Sequence, residues 1–272
     1  MTVTTARTVD RGSKQHSASS LAVAMSLAVR SIVNVFRVPG AFVPVLVMPI
    51  FFLLSFSGSF SGLARSGILP TRNMLSWVMP YAILQGAAFA GMGATFSVAR
   101  DLEGGFYDRL LLAPAPRRAL LFGPVLSAML RSLIPVAVVC TFAFVGGARL
   151  SAGLFGLVPM LVAAMAVAAI ACLWGLGIAF RFRTQRSLAL VQVGIFSAMF
   201  LSASQVPVRA IEGWVQPVAR VNPLTNILRL AREGFLPGGV TWHDTWGGLT
   251  AIVVAAALLA WFAVRGLRQV LH

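Results

Sequence analysis

Cysteine, histidine and acidic residues are scarce in this chain, which has two, three and seven of them among 272 residues. Cys140 and Cys172 lie 32 positions apart inside apolar runs. That excludes a CxxC redox pair or zinc ligand spacing and reads as two buried thiols. His16, His243 and His272 fall in a tail, a loop and the last position, with no metal-ligand spacing between them. No GxxxxGKS/T phosphate loop, GxSxG nucleophile or HExxH pair occurs, so the chain has no motif for ATP or for these hydrolytic chemistries. Any nucleotide energy has to come from another polypeptide.

The seven acids are Asp10, Asp101, Glu103, Asp108, Glu212, Glu233 and Asp244, and all fall outside the apolar segments defined below. A proton- or sodium-coupled carrier usually keeps an ionisable group inside its spans, so secondary transport or a channel is the weaker alternative. A membrane transferase using a metal-bound diphosphate would need clustered acids. The nearest approach is Asp101, Glu103 and Asp108, interrupted by two glycines and flanked by Arg100 and Arg109.

What is abundant is apolar surface: 58% of residues are hydrophobic and 11% charged, where soluble domains carry about 25% charged residues. The chain reads as an all-α integral membrane protein. Six segments have the roughly 20 residues needed to cross a bilayer: 38–60, 73–99, 121–147, 151–180, 187–204 and 246–264. The 21 arginines and single lysine are scattered between these runs without forming a stripe, which argues for topology control over nucleic-acid binding. With the N-terminus inside, fourteen basic residues lie on the cytoplasmic side and seven outside, leaving Arg131 within the third span. The bias predicts cytoplasmic N- and C-termini.

Residues 1–19 read as a disordered cytoplasmic tail, too polar for a cleaved signal peptide. Across 20–37, Leu21, Met25, Val29, Ile32 and Phe36 share one helical side, and Ser26, Arg30, Asn34 and Arg37 share the other. This predicts an amphipathic interfacial helix whose arginines face lipid phosphates or a soluble partner. Residues 38–272 form the transmembrane domain. Between the last two spans, Asn222 is a good N-cap with Pro223 at the first helical position. Leu224, Ile227, Leu228, Ala231 and Phe235 fall on one face of that helix, with Thr225, Arg229, Arg232 and Glu233 turned away. The helix is too short and too charged to span, so its apolar face rests on the bundle or dips into the outer leaflet.

Arg100 to Arg118 gathers seven of the chain's 29 charged residues into 19 positions between the second and third spans. Alternating signs favour a folded docking surface over an electrostatic arm. Arg131 lies either at the interface, if its helix starts in the cytoplasm, or in the bundle interior near substrate. Gly86, Ala90 and Ala94 have small-xxx-small spacing, with Gly91 and Gly93 beside them. These residues read as ordinary helix packing, or as a seam with a second subunit or a path lined by Phe89, Met92 and Phe96.

Taken together, the chain resembles the permease subunit of a type-2 ATP-binding-cassette exporter, in the branch with daunorubicin-resistance and lipid or polysaccharide exporters. The resemblance covers nearly the whole chain. It rests on the amphipathic helix, six spans, the loop Asp101-Leu102-Glu103-Gly104-Gly105 leading to Arg109-Leu110-Leu111-Leu112-Ala113-Pro114, and outer Asn222-Pro223-Leu224-Thr225 followed by Arg229 or Arg232 and Gly234. It implies a non-catalytic permease in a bacterial plasma membrane, paired with a second copy or a paralogue and served by two cytosolic ATPase subunits that bind ATP and magnesium. No cofactor is expected in this chain itself. It further implies a cytoplasmic coupling helix on the ATPase, nominating Asp101, Glu103, Gly104, Gly105, Tyr107 and Arg109. The substrate path falls to Phe89, Met92, Phe96, Gln192, Phe196, Met199 and Phe200. Extracellular re-entrant helices within 207–235 close the outer end, with Asn222, Pro223 and Arg229 at the gate. Phenylalanine and methionine walls with one glutamine suit an amphipathic drug or lipid-like cargo.

Overall fold

The computed structural model describes residues 39–105, 119–202, 206–237 and 239–270, and these form helices and turns without a strand. The expected interfacial helix over 20–37, and Tyr107 and Arg109 of the coupling loop, lie outside the described residues. The helices are α1 (Pro39–Ser59), α2 (Ser61–Arg65), α3 (Met74–Glu103), α4 (Ala119–Val145), α5 (Leu157–Phe182), α6 (Leu188–Phe200), α7 (Val215–Val221), α8 (Pro223–Arg232) and α9 (Trp242–Val270). Among the described residues four stretches, Met74–Glu103, Leu120–Val145, Leu154–Phe182 (α5 with the short 3₁₀ turn before it) and Trp242–Gln269, are long and apolar enough to cross a membrane. Helix α6 has 13 residues, a rise of about 20 Å that falls short of a full crossing.

The central helix is α3. Its most apolar window is 78% buried, against 17% for α9, which lies at the margin of the bundle. Asn73 starts α3: its Oδ1 accepts the backbone N–H of Leu75 at 3.0 Å. Its Nδ2 donates to the Gly147 carbonyl at 2.7 Å, so one side chain caps α3 and ties it to the loop after α4. Pro80 in α3 and Pro124 and Pro135 in α4 sit inside helices, as membrane helices tolerate when neighbours meet the freed carbonyls.

Glycines set how closely α3 is approached. A Cβ on Gly86 would lie 2.6 Å from Pro135 Cβ of α4, and one on Gly91 would collide with the Ala168 carbonyl oxygen of α5. The small-residue stripe therefore packs helices within this chain. Beside it, Thr95 Oγ1 lies 3.3 Å from the carbonyl oxygens of both Gly91 and Cys172, a polar stitch between α3 and α5. Cys172 is buried as expected, but Cys140 is only half-buried because α4 turns that position toward the margin of the bundle.

Arg131 lies twelve residues after the start of α4, about 18 Å along the helix. It is 6% exposed, and its Nη1 is 3.9 Å from where a Gly93 Cβ would stand. Of the two sequence readings, the structure takes the one in which Arg131 faces the bundle interior.

Candidate functional site

At the end of α3, beyond its apolar run, Gly104 caps the helix and Gly105 takes a left-handed φ of 66°. A side chain at Gly105 would be strained, so the paired glycines turn the chain out of the helix. Glu103 reaches across to the turn between α5 and α6. Its Oε1 accepts the backbone N–H of Gln185 at 2.6 Å and its Oε2 accepts Gln185 Nε2 at 2.6 Å. These two donors, the backbone one first, hold the Glu103 carboxyl below the usual carboxylate range. Asp101, two residues earlier, is half-buried. Gln185 is absent from the sequence-based site because 82 positions separate it from Glu103, and no local pattern links an acid in one loop to an amide in another.

The nominated path residues separate by face. On α6, Gln192, Phe196 and Phe200 recur every four residues along a stripe that is open or half-open, while Leu188, Val191, Ile195 and Met199 form the buried side. Met199 is 3% exposed and belongs to the core. Phe196 lies 5.6 Å from Phe89 of α3 and 6.0 Å from Phe200, and Phe200 lies 6.1 Å from Phe52 of α1. Phe52 and Phe56 of α1 and Phe60 just beyond its end continue the series, with centroid spacings of 5.3 and 5.6 Å. The result is an aromatic ladder over three helices, to which α1 adds rings that the sequence reading left out. Met92 and Phe96 stand on the partly open face of α3, whereas Phe89 is 6% exposed beneath the ladder.

The segment between α6 and α9 is anchored at both ends of α8. Asn222 Oδ1 caps the helix by accepting the Leu224 N–H at 3.0 Å, with Pro223 at the first position. Asn222 Nδ2 donates to the Ala198 carbonyl at 2.6 Å, fastening α8 to the last turn of α6. Ile227, Leu228 and Ala231 are buried on the bundle as the periodicity requires, but the polar face departs from expectation. Thr225, Arg232 and Glu233 are also buried, and only Arg229 of the four stays exposed. The reason is packing on more than one side, since α8 is enclosed by α3, α5 and α9.

Arg232 lies with its guanidinium 3.7 Å from the centroid of the Trp77 ring, and its Nε donates to the Trp77 carbonyl at 3.2 Å. Glu233 accepts the Thr245 hydroxyl at 2.9 Å. The Gly234 carbonyl accepts the N–H groups of Ser151 and Ala152 at 3.0 and 3.2 Å. Gly234 packs directly on Gly156, where any side chain would collide with backbone. Among the described residues no three of His, Cys, Asp and Glu stand together as a metal site.

Comparison with known proteins adds the lineage. The chain is 25% identical over 228 residues to the daunorubicin resistance ABC transporter permease protein DrrB1 of Streptomyces coeruleorubidus, covering 83% of this chain and 77% of that one. It is also 25% identical over 251 residues to a protein of Porphyra purpurea named "Putative transport permease ycf38", covering 86% and 82% of the two chains. The family model for the ABC-2 type transporter matches residues 23–236. The chain belongs to the ABC-2 type transporter family, as the membrane permease subunit of an ABC exporter.

Proposed function

We propose that this permease moves an amphipathic drug or lipid-like molecule outward across a bacterial plasma membrane, drawing on ATP and magnesium bound by separate cytosolic ATPase subunits. Two permeases, identical or paralogous, flank the path, and both termini of each are cytoplasmic. The observation that carries the reading is the aromatic ladder Phe89–Phe196–Phe200–Phe52. Its outer members remain open beside Gln192, so a flat apolar cargo meets rings and one amide. Asp101 to Gly105, with Tyr107 and Arg109 further along the loop, receives the push of the ATPase. Glu103 passes it through Gln185 to the start of α6, the helix that bears the ladder. At the outer end α8, set by Asn222 and Pro223, closes the path, with Arg229 on its outer edge. The test is reconstitution with the ATPase in vesicles. ATP-dependent movement of an amphipathic dye, abolished when the ATPase cannot hydrolyse ATP, is expected; dye movement driven equally by a proton gradient alone would overturn the reading.

A further inference from the structure

Outside the path, the first turns of α9 and the exposed edge of α8 enclose a cleft of about 640 Å³ lined by Asn226, Arg229, Trp242, His243, Asp244 and Trp246. Its chemistry is unusual for the margin of a membrane helix. Trp242 and Trp246 stack with centroids 5.9 Å apart and planes 12° apart, yet remain 78% and 58% exposed. Two large rings held parallel and left open offer a flat apolar floor and an electron-rich face to a cation. Arg229 supplies one exposed guanidinium from α8. Asp244 supplies one carboxylate from the first turn of α9, where the helix dipole favours it. His243 Nδ1 stands 3.2 Å from Asp244 Oδ1, steadying one carboxylate oxygen. The nearby Glu233 is 4% exposed and engaged with Thr245, so Asp244 is the carboxylate that opens on the cleft.

The depth of the cleft narrows the choice of ligand. The stretch Trp242–Gln269 has 28 residues, more than the roughly 20 needed to cross, so its first turn stands at the headgroup level where tryptophan is favoured. One cation, one anion and an indole pair at that level complement a ligand with a phosphodiester, an ammonium and acyl chains.

We propose that this cleft is a binding site for a zwitterionic phospholipid of the bilayer, with Arg229 taking the phosphodiester, Asp244 the ammonium, and Trp242 and Trp246 the glycerol and upper acyl region. The site lies apart from the aromatic ladder and does not depend on what the exporter carries. It assigns Arg229 to a resident lipid, whose occupancy braces α8 against α9.

The test is native mass spectrometry of the full-length protein purified in detergent, titrated with phosphatidylethanolamine or with phosphatidylglycerol of the same acyl chains. Preferential retention of phosphatidylethanolamine is expected. Asp244→Asn should weaken that lipid by about tenfold, the scale of one charge-assisted contact, while sparing phosphatidylglycerol; Arg229→Gln should weaken both. Arg229 is exposed and Asp244 half-buried, and unchanged thermal unfolding would show that the variants are folded. Equal retention of the two lipids, or retention untouched by either substitution, would mean ordinary boundary lipid and overturn the proposal. Binding of soluble glycerophosphoethanolamine as tightly as the intact lipid would also overturn it, by removing the bilayer as the source. Transport activity does not enter the readout, so loss of the export reading would leave this result standing.

Discussion

Glu103 and Gln185 join two turns 82 positions apart through a pair of 2.6 Å hydrogen bonds on one carboxylate. The contact links the end of α3, which leads into the nominated coupling loop, to the turn that starts α6.

Breaking that link should uncouple the transporter without dismantling it. Glu103→Ala is expected to lower substrate moved per ATP hydrolysed several-fold, with ATPase activity largely retained, as measured in reconstituted vesicles. Gln185→Ala should do likewise, and the double variant should be no worse than either single one, because residues in one contact are not additive. Since the contact depresses the Glu103 carboxyl, its contribution is complete above the ordinary carboxylate range and is lost only as pH falls through the depressed value. Coupling should therefore not change through this group between about pH 8 and pH 6.

Arg232 should set how firmly α8 is held on the bundle. Its guanidinium lies over the Trp77 ring in a buried setting. Arg232→Ala should cost about 2 kcal/mol, the scale of a desolvated cation–π contact, read as a lower unfolding midpoint in detergent. Arg232→Lys should recover little, because an ammonium cannot reproduce the planar contact and the Nε bond to the Trp77 carbonyl.

The glycines of α3 should differ sharply in tolerance. Gly91→Ala drives a methyl into backbone of α5, and overpacking of this kind costs roughly 1–3 kcal/mol. Gly93→Ala meets only the distal end of Arg131, so its folded yield should match the parent. Size-exclusion profiles and unfolding midpoints of the two variants would check this.

Adjacent residues of α6 should separate cargo handling from stability. Phe200 is 46% exposed and Met199 is 3% exposed. Phe200→Ala should change transport and selectivity among aromatic amphiphiles while stability falls by only about 1 kcal/mol, the scale of its ring contacts with Phe196 and Phe52. Met199→Ala should lose roughly 2–5 kcal/mol as a core truncation. Parallel transport assays and thermal unfolding would show the crossed pattern.

Much of the architecture is legible in the residues. Apolar runs set between arginines mark the membrane helices, and Asn222-Pro223 marks the start of α8 through a cap and a missing N–H that both appear in the structure. The sequence also shows that nothing in this chain holds ATP by a phosphate loop. Less legible are the faces. Periodicity placed Thr225, Arg232 and Glu233 away from the bundle, but a helix enclosed by three neighbours buries polar residues wherever each finds a partner. It treated Met199 and Phe200 alike, because lipid is as apolar as a protein core and a span can be apolar all round.

The sequence by itself determined that this is an all-α membrane chain without its own nucleotide motif, since bilayer thickness and motif chemistry act on contiguous residues. Only the tertiary structure decided that Glu103 meets Gln185, that Phe52 extends the ladder of α6, and that Arg232 stacks on Trp77. These partners lie between 82 and 155 positions apart. Their meeting depends on how helices cross at glycine contacts, a property of packed surfaces that no local window of residues contains.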